Sequence, residues 1–214
     1  MPIERMVPTP RGDARLLVRR AKRPVATLVL THGAGGGVDA PDLVRLARTL
    51  PQQDISVTLV EMPWRVAGKK LAPAPLVIDE CFTAVLDCLR TRSPLVLGGR
   101  SAGARSACRI ARAAGARGVL ALSFPLHPPG RPEKSRLDEL HNARVRTLVI
   151  QGERDPFGSP EEFPDDIDLA VVPSADHSMK VARSAPVSQE EALAVVLEAT
   201  LEWVVREVAG NRNG

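Results

Sequence analysis

Short apolar runs alternate with helix-period segments along nearly the whole chain, and this alternation restricts the fold more than any other feature. Strand-like runs occupy residues 14–20, 25–31, 55–61, 95–98, 118–124, 145–151 and 169–172. Residues 42–50 have helical spacing, with Leu43, Leu46, Ala47 and Leu50 on one face and Asp39 as a candidate cap. Residues 75–90 repeat the pattern through Ile78, Cys81, Val85, Leu86 and Leu89, and residues 102–114 form a further helix closed by Gly115. The last helix opens on the capping box Ser188-Gln189-Glu190-Glu191 and runs to about Val208. Short apolar strands separated by helices imply a mainly parallel sheet covered on both faces. Strands 14–20 and 25–31 are too close together for a helical crossover, so that pair is expected to be antiparallel.

No repeat or linker divides the 214 residues, and a single domain over 1–214 is expected, with 210–214 as a frayed tail. The longest irregular connection, 124–145, is rich in Pro and too short for a sizeable cap domain. Aromatic residues make up only 3% of the chain, with no Tyr, so Ala, Val and Leu must supply most of the core. The net charge of +4 is scattered, with its densest run at Arg19-Arg20-Ala21-Lys22-Arg23. No basic patch with interleaved aromatics accompanies it, which argues against a nucleic-acid surface. No apolar run approaches the ~18 residues of a membrane span, and no signal-peptide core opens the chain, so a cytoplasmic protein is expected. Cys81 and Cys88 share a helical face about 10 Å apart, too far for a disulfide, and with Cys108 are expected to be buried free thiols.

The chemistry centres on Gly99-Arg100-Ser101-Ala102-Gly103. A G-x-S-x-G pattern alone is weak, because Gly and Ser are common. Here it follows the apolar run Leu95-Val96-Leu97-Gly98 and opens a helix, the strand–turn–helix setting that exposes a nucleophilic Ser. The competing reading is a helix start with packing glycines.

Two downstream segments bear on that choice. The strand ending at Gln151 leads into Gly152-Glu153-Arg154-Asp155-Pro156-Phe157-Gly158, and the next strand into Pro173-Ser174-Ala175-Asp176-His177. Asp155 read alone is a turn residue before Pro156, and His177 a surface histidine. Together with Ser101 they fall in the order Ser, Asp, His, each after a strand, as an acid–base–nucleophile set requires. Upstream, Thr31-His32-Gly33-Ala34-Gly35-Gly36-Gly37 fits an oxyanion loop, with the amides of Ala34 and Ala102 as the donor pair. A dinucleotide fingerprint starting at Gly33 and Gly35 fails, because its last position is Val38. His32 is read as a residue orienting the loop.

These segments, with Phe124-Pro125-Leu126-His127-Pro128-Pro129-Gly130, resemble the small α/β-hydrolases related to dienelactone hydrolase. They are also similar to the hydrolase-like domain of a chromatin acetyltransferase complex subunit. The resemblance covers nearly the whole chain, with Leu126-His127-Pro128-Pro129-Gly130 as its most specific element. It implies an α/β-hydrolase fold without a large cap domain and a triad of Ser101, Asp155 and His177. Dienelactone hydrolase itself uses a Cys nucleophile where this chain has Ser, so its lactone substrate does not transfer.

His127 and Arg131 follow a strand on the edge where these loops emerge, as substrate contacts or as part of a rigid Pro-rich loop facing water. Arg100 and Arg105 are open to two readings, an acidic substrate group or a helix-surface ion pair. No metal site or cofactor is expected, since there is no His-x-x-x-His pair or Cys/His cluster, and Asp165, Asp166 and Asp168 read as loop surface. The expected activity is esterase-like, on a small acyl substrate whose ester, thioester or lactone bond breaks through an acyl-enzyme on Ser101. The alternative is a non-catalytic interaction module on the same fold.

Overall fold

The computed structural model describes residues 2–210. Eight strands form one sheet in the order β1-β2-β4-β3-β5-β6-β7-β8. β1 (Ile3–Thr9) and β2 (Gly12–Arg19) make an antiparallel hairpin at one edge, and β2 is also antiparallel to β4 (Ile55–Glu61). From β4 onward the sheet is parallel, through β3 (Ala26–Thr31), β5 (Leu95–Arg100), β6 (Gly118–Leu122), β7 (Arg146–Gly152) and β8 (Asp168–Val172).

The expected direct pairing of the strands at 14–20 and 25–31 is corrected, because β4 lies between β2 and β3. Leu59 pairs with Leu17 on one side and Leu30 on the other. The link between β2 and β3 steps across the start of β4, where the Ala21 amide donates to Ser56 Oγ (3.0 Å) and the Val25 amide to the Asp54 carbonyl (2.8 Å). Two strand spacings are about 10 Å, within reach of so short a link. β4 is apolar and buried on both faces, which suits a central place rather than an edge. β1 carries no apolar run, and as an exposed edge strand it needs none. Pro8 is tolerated there because an edge strand leaves one row of backbone groups unpaired.

Helices α1 (Pro41–Thr49) and α6 (Gln189–Trp203) cover one face of the sheet, and α3 (Pro75–Asp87) and α4 (Ala102–Ile110) the other. Strand alternation sorts the core accordingly. Leu28, Leu30 and Val96 join Leu43, Leu46 and Trp203, whereas Val29 and Leu97 join Phe82, Ala104 and Phe124. α6 keeps the expected Ser188 capping box, and its last turns, Val204–Ala209, widen to a π-helix. Asp39 is not the cap of α1. Pro41 at the first helical position needs no amide partner, and Ala40 stands at the cap without a side-chain bond.

Two short helices, α2 (Pro63–Val66) and α5 (Leu137–His141), lie in the connections after β4 and β6. Between β6 and β7 there is otherwise only the 3-10 turn Pro132–Lys134, so that connection holds no cap domain. The tail at 211–214 lies outside the described residues. Cys81 and Cys108 are buried free thiols, but Cys88 is only partly buried. Among the described residues, no helix is long and apolar enough to cross a membrane.

Candidate active site

The carboxyl ends of the parallel strands share one edge of the sheet, where the loops after β3, β5, β7 and β8 converge. Ser101 turns the chain from β5 into α4 with φ 53° and ψ −111°, a backbone conformation that an L-residue with a side chain rarely adopts. The glycines on either side permit the sharp turn. A Cβ at Gly99 would lie 2.5 Å from the Thr31 carbonyl oxygen, and one at Gly103 would lie 2.8 Å from that of His32. Only bare backbone can pack this closely against the loop after β3.

The loop after β8 brings His177 to Ser101, with His177 Nε2 3.0 Å from Ser101 Oγ. The other ring nitrogen, Nδ1, lies 2.8 Å from Asp155 Oδ2 in the loop after β7. Asp155 is buried, and three donors hold its carboxylate. They are the His177 ring, the Phe157 amide on Oδ1 (2.9 Å) and Gln151 Nε2 on Oδ2 (2.9 Å). The Phe157 bond is the Asx-turn that Asp155 suggested on its own, so the turn and the imidazole contact coexist. Phe157 also covers His177, ring centroids 4.2 Å apart and tilted by 30°. The two loops are stitched together by Arg154 N–H to the Ala175 carbonyl (2.9 Å) and Ser174 N–H to Glu153 Oε2 (2.6 Å).

Gln151 carries no motif, and neither its contacts nor those of Phe157 were anticipated. The one signal for Gln151 is a polar side chain at the end of the apolar run Leu148-Val149-Ile150. It is fully buried, its amide nitrogen also facing the carbonyls of Phe124 (3.2 Å) and Gly158 (2.8 Å).

The loop after β3 packs Gly33 against the turn at Ser101, since a Cβ there would stand 3.3 Å from Ser101 Cβ. His32 is buried beneath it, donating from Nδ1 to the Gly33 carbonyl (2.8 Å) and accepting the Met62 amide at Nε2 (3.0 Å). Burial holds its pKa below the ordinary value, in keeping with a neutral ring that orients the loop. Ala34 is exposed at the loop tip, and Ala102 is partly buried in the first turn of α4, where amides lack intrahelical acceptors.

Arg100 and His127 are placed differently from a substrate contact. The Arg100 guanidinium points inward, 3.3 Å from Asp42 Oδ2 and 2.6 Å from the His177 carbonyl oxygen. His127 does not face water either. It is buried, with Nδ1 2.9 Å from the Pro128 carbonyl and Nε2 2.8 Å from Glu162 Oε2. These two acceptors raise its pKa, while burial opposes the rise. Arg131 is exposed. Arg105 makes a two-pronged ion pair with Glu139 (2.6 and 2.8 Å), which Arg109 shares while also gripping Asp79. Among the described residues, no cluster of three or more His, Cys, Asp or Glu is arranged to hold a metal.

Comparison with protein families matches residues 24–205 to the family described as alpha/beta hydrolase domain. The chain belongs to this family. Among solved structures it is similar to a lidless α/β serine hydrolase from Xanthomonas campestris, at 18% identity and a TM-score of 0.72, covering 94% of each chain. It is also similar to a dienelactone hydrolase from Anabaena variabilis, at 17% identity and a TM-score of 0.71, covering 97% of this chain and 99% of that one. A third similar structure is mouse alpha/beta hydrolase domain-containing protein 10, at 10% identity and a TM-score of 0.69, covering 95% and 99%. At these identities the likeness establishes the shared fold.

Proposed function

We propose that this α/β-hydrolase family member is a serine hydrolase that cleaves an ester, thioester or lactone through an acyl-enzyme on Ser101. The observation that carries this reading is the unbroken line from Ser101 Oγ through the His177 ring to Asp155, with contacts of 3.0 and 2.8 Å.

In the first half-reaction, Ser101 Oγ attacks the substrate carbonyl carbon while His177 Nε2 takes the hydroxyl proton. Asp155 keeps the ring proton on Nδ1 and stabilises the imidazolium that forms. The carbonyl electrons move onto oxygen, where the amides of Ala34 and Ala102 receive the charge at the N-terminus of α4. Collapse breaks the bond to the leaving alkoxide or thiolate, which takes the proton from His177. Water then attacks the acyl carbon, giving His177 a proton, and collapse returns that proton to Ser101 and frees the acid.

The open surroundings of the glycine-rich loop favour accessible acyl groups. Ala34 is exposed, and a Cβ at Gly35 or Gly36 would meet nothing within 4 Å. A fluorophosphonate probe tests the reading. Wild type is expected to be labelled and Ser101→Ala is not, after which a panel of short and long esters, thioesters and lactones identifies the bond. A folded wild type that resists labelling overturns the proposal in favour of a non-catalytic module.

A further inference from the structure

Arg100 lies inside the nucleophile turn, yet its side chain serves a different loop. Nη2 donates to the His177 carbonyl at 2.6 Å, and Nε faces Asp42 Oδ2 at 3.3 Å. The Asp42 side chain is fully buried and that of Arg100 is 13% exposed. Burying a carboxylate in the first turn of α1 is costly unless a cation faces it. Burial pushes the Asp42 pKa up, whereas the Arg100 charge and the amides of Asp42 and Leu43 pull it down. A surface ion pair would leave both groups hydrated and loosely placed. Here the ion pair with a buried carboxylate draws the cation inward without a hydrogen bond between them, and Nη2 is directed to the His177 carbonyl.

That orientation matters because of what the fork connects. Asp42 begins the helix that follows the glycine-rich loop, Arg100 precedes Ser101, and the accepted carbonyl belongs to His177 itself. We propose that Arg100, fixed by Asp42, is a positioning residue that sets the reach of the His177 imidazole to Ser101 by holding the His177 main chain. This inference rests on the serine hydrolase reading above, and Arg100 touches no reacting atom in it. His177 sits in a loop after the edge strand β8, with its ring pinned at both nitrogens. The turn around it is closed by Asp176, whose Oδ1 accepts the Ser178 and Lys180 amides (2.7 and 3.0 Å), and the bond from Arg100 ties the His177 carbonyl of that turn to the segment that carries Ser101. A guanidinium reaches both groups at once because its N–H groups diverge in a rigid plane, donating to the carbonyl while facing the carboxylate as a charge, outside hydrogen-bond geometry. A lysine ammonium is a single point on a flexible stem and does not span both acceptors in the same way.

Arg100→Lys therefore separates the two roles, keeping a cation against Asp42 while loosening the carbonyl contact. Two readouts are taken on purified full-length protein, the rate of fluorophosphonate labelling and the low-field NMR signal of the His177 Nδ1 proton. Misplacing a catalytic group by about an ångström costs up to about 100-fold, so labelling is expected to slow by roughly 10- to 100-fold with the ring proton shifted. Wild-type labelling together with an unshifted proton in Arg100→Lys overturns the proposal, whatever the melting temperature does. Asp42→Asn, which is nearly isosteric, is the second variant and is expected to slow labelling in the same direction. Should wild type itself resist labelling, the hydrolase reading fails, and the ring proton still decides the positioning claim. A shift in Arg100→Lys supports that claim, and no shift overturns it.

Discussion

Gln151 Nε2 and His177 Nδ1 meet on the same oxygen, Asp155 Oδ2, at 2.9 and 2.8 Å. A buried amide at the end of β7 thus anchors the carboxylate that orients the imidazole. Gln151→Leu removes this donor and strands the Gly158 carbonyl, whereas the Phe124 carbonyl keeps the Leu126 amide (2.9 Å). One unsatisfied buried group costs about 1–3 kcal/mol, and a loss of that size is expected in urea unfolding. Labelling of the folded variant should also slow. An unchanged labelling rate would reduce Gln151 to a tie between loops.

Asp155→Asn is expected to lower the labelling rate by about 10⁴-fold while the protein stays folded. An amide nitrogen turned toward Nδ1 favours the tautomer with its proton on Nε2, which cannot accept the Ser101 proton. Circular dichroism alongside the rate measurement separates lost chemistry from lost structure. A drop of less than tenfold would mean that Asp155 does not set the tautomer.

The backbone at Ser101, φ 53° and ψ −111°, is a strained conformation for a residue with a side chain. Ser101→Gly relieves that strain, which is worth about 1–3 kcal/mol, against an unfolded-state entropy cost of under about 1 kcal/mol. An inactive variant more stable by about 0.5–2 kcal/mol is the expected outcome in urea titration. A lower unfolding midpoint would show that the turn carries no strain.

His127 links pH to stability through Glu162. Both ring nitrogens face acceptors, so the doubly protonated ring satisfies both, and the His127 pKa is raised. A raised folded-state pKa gives stability that is fully present below the ordinary histidine value of about 6.5 and is lost as pH rises through the folded value. Glu162→Gln removes the carboxylate and should lower the melting temperature more at pH 6 than at pH 9. The difference between the two proteins cancels the opposite contribution of His32, whose lowered pKa disfavours the fold as pH falls below about 6.5. An equal effect at both pH values would mean that His127 is not cationic in the fold.

Most of the candidate site was legible because its signals are local. The run before Ser101, the glycines around it and the loops ending at Asp155 and His177 each occupy a few consecutive residues. Chain order then supplied their relation. The two readings of Arg100 stayed open in the sequence because nothing near it in the chain reveals Asp42 or the His177 carbonyl, 58 and 77 positions away. The Glu162 partner of His127 hid in the same way, since it lies 35 residues downstream in a short capping-box turn that it closes with Ser159.

The sequence by itself determined the alternation of strands and helices, the parallel sheet covered on both faces, and the turn at Ser101 between β5 and α4. Hydrophobic period and turn chemistry act over neighbouring residues, so they are written in the order of the letters. Tertiary structure alone decided that β4 separates β2 from β3, that Gln151 anchors Asp155, and that Arg100 turns away from solvent toward Asp42. Those outcomes depend on which buried polar groups meet across distant segments. Burial gives each such meeting its weight, because a buried charge or amide is costly to leave unpaired.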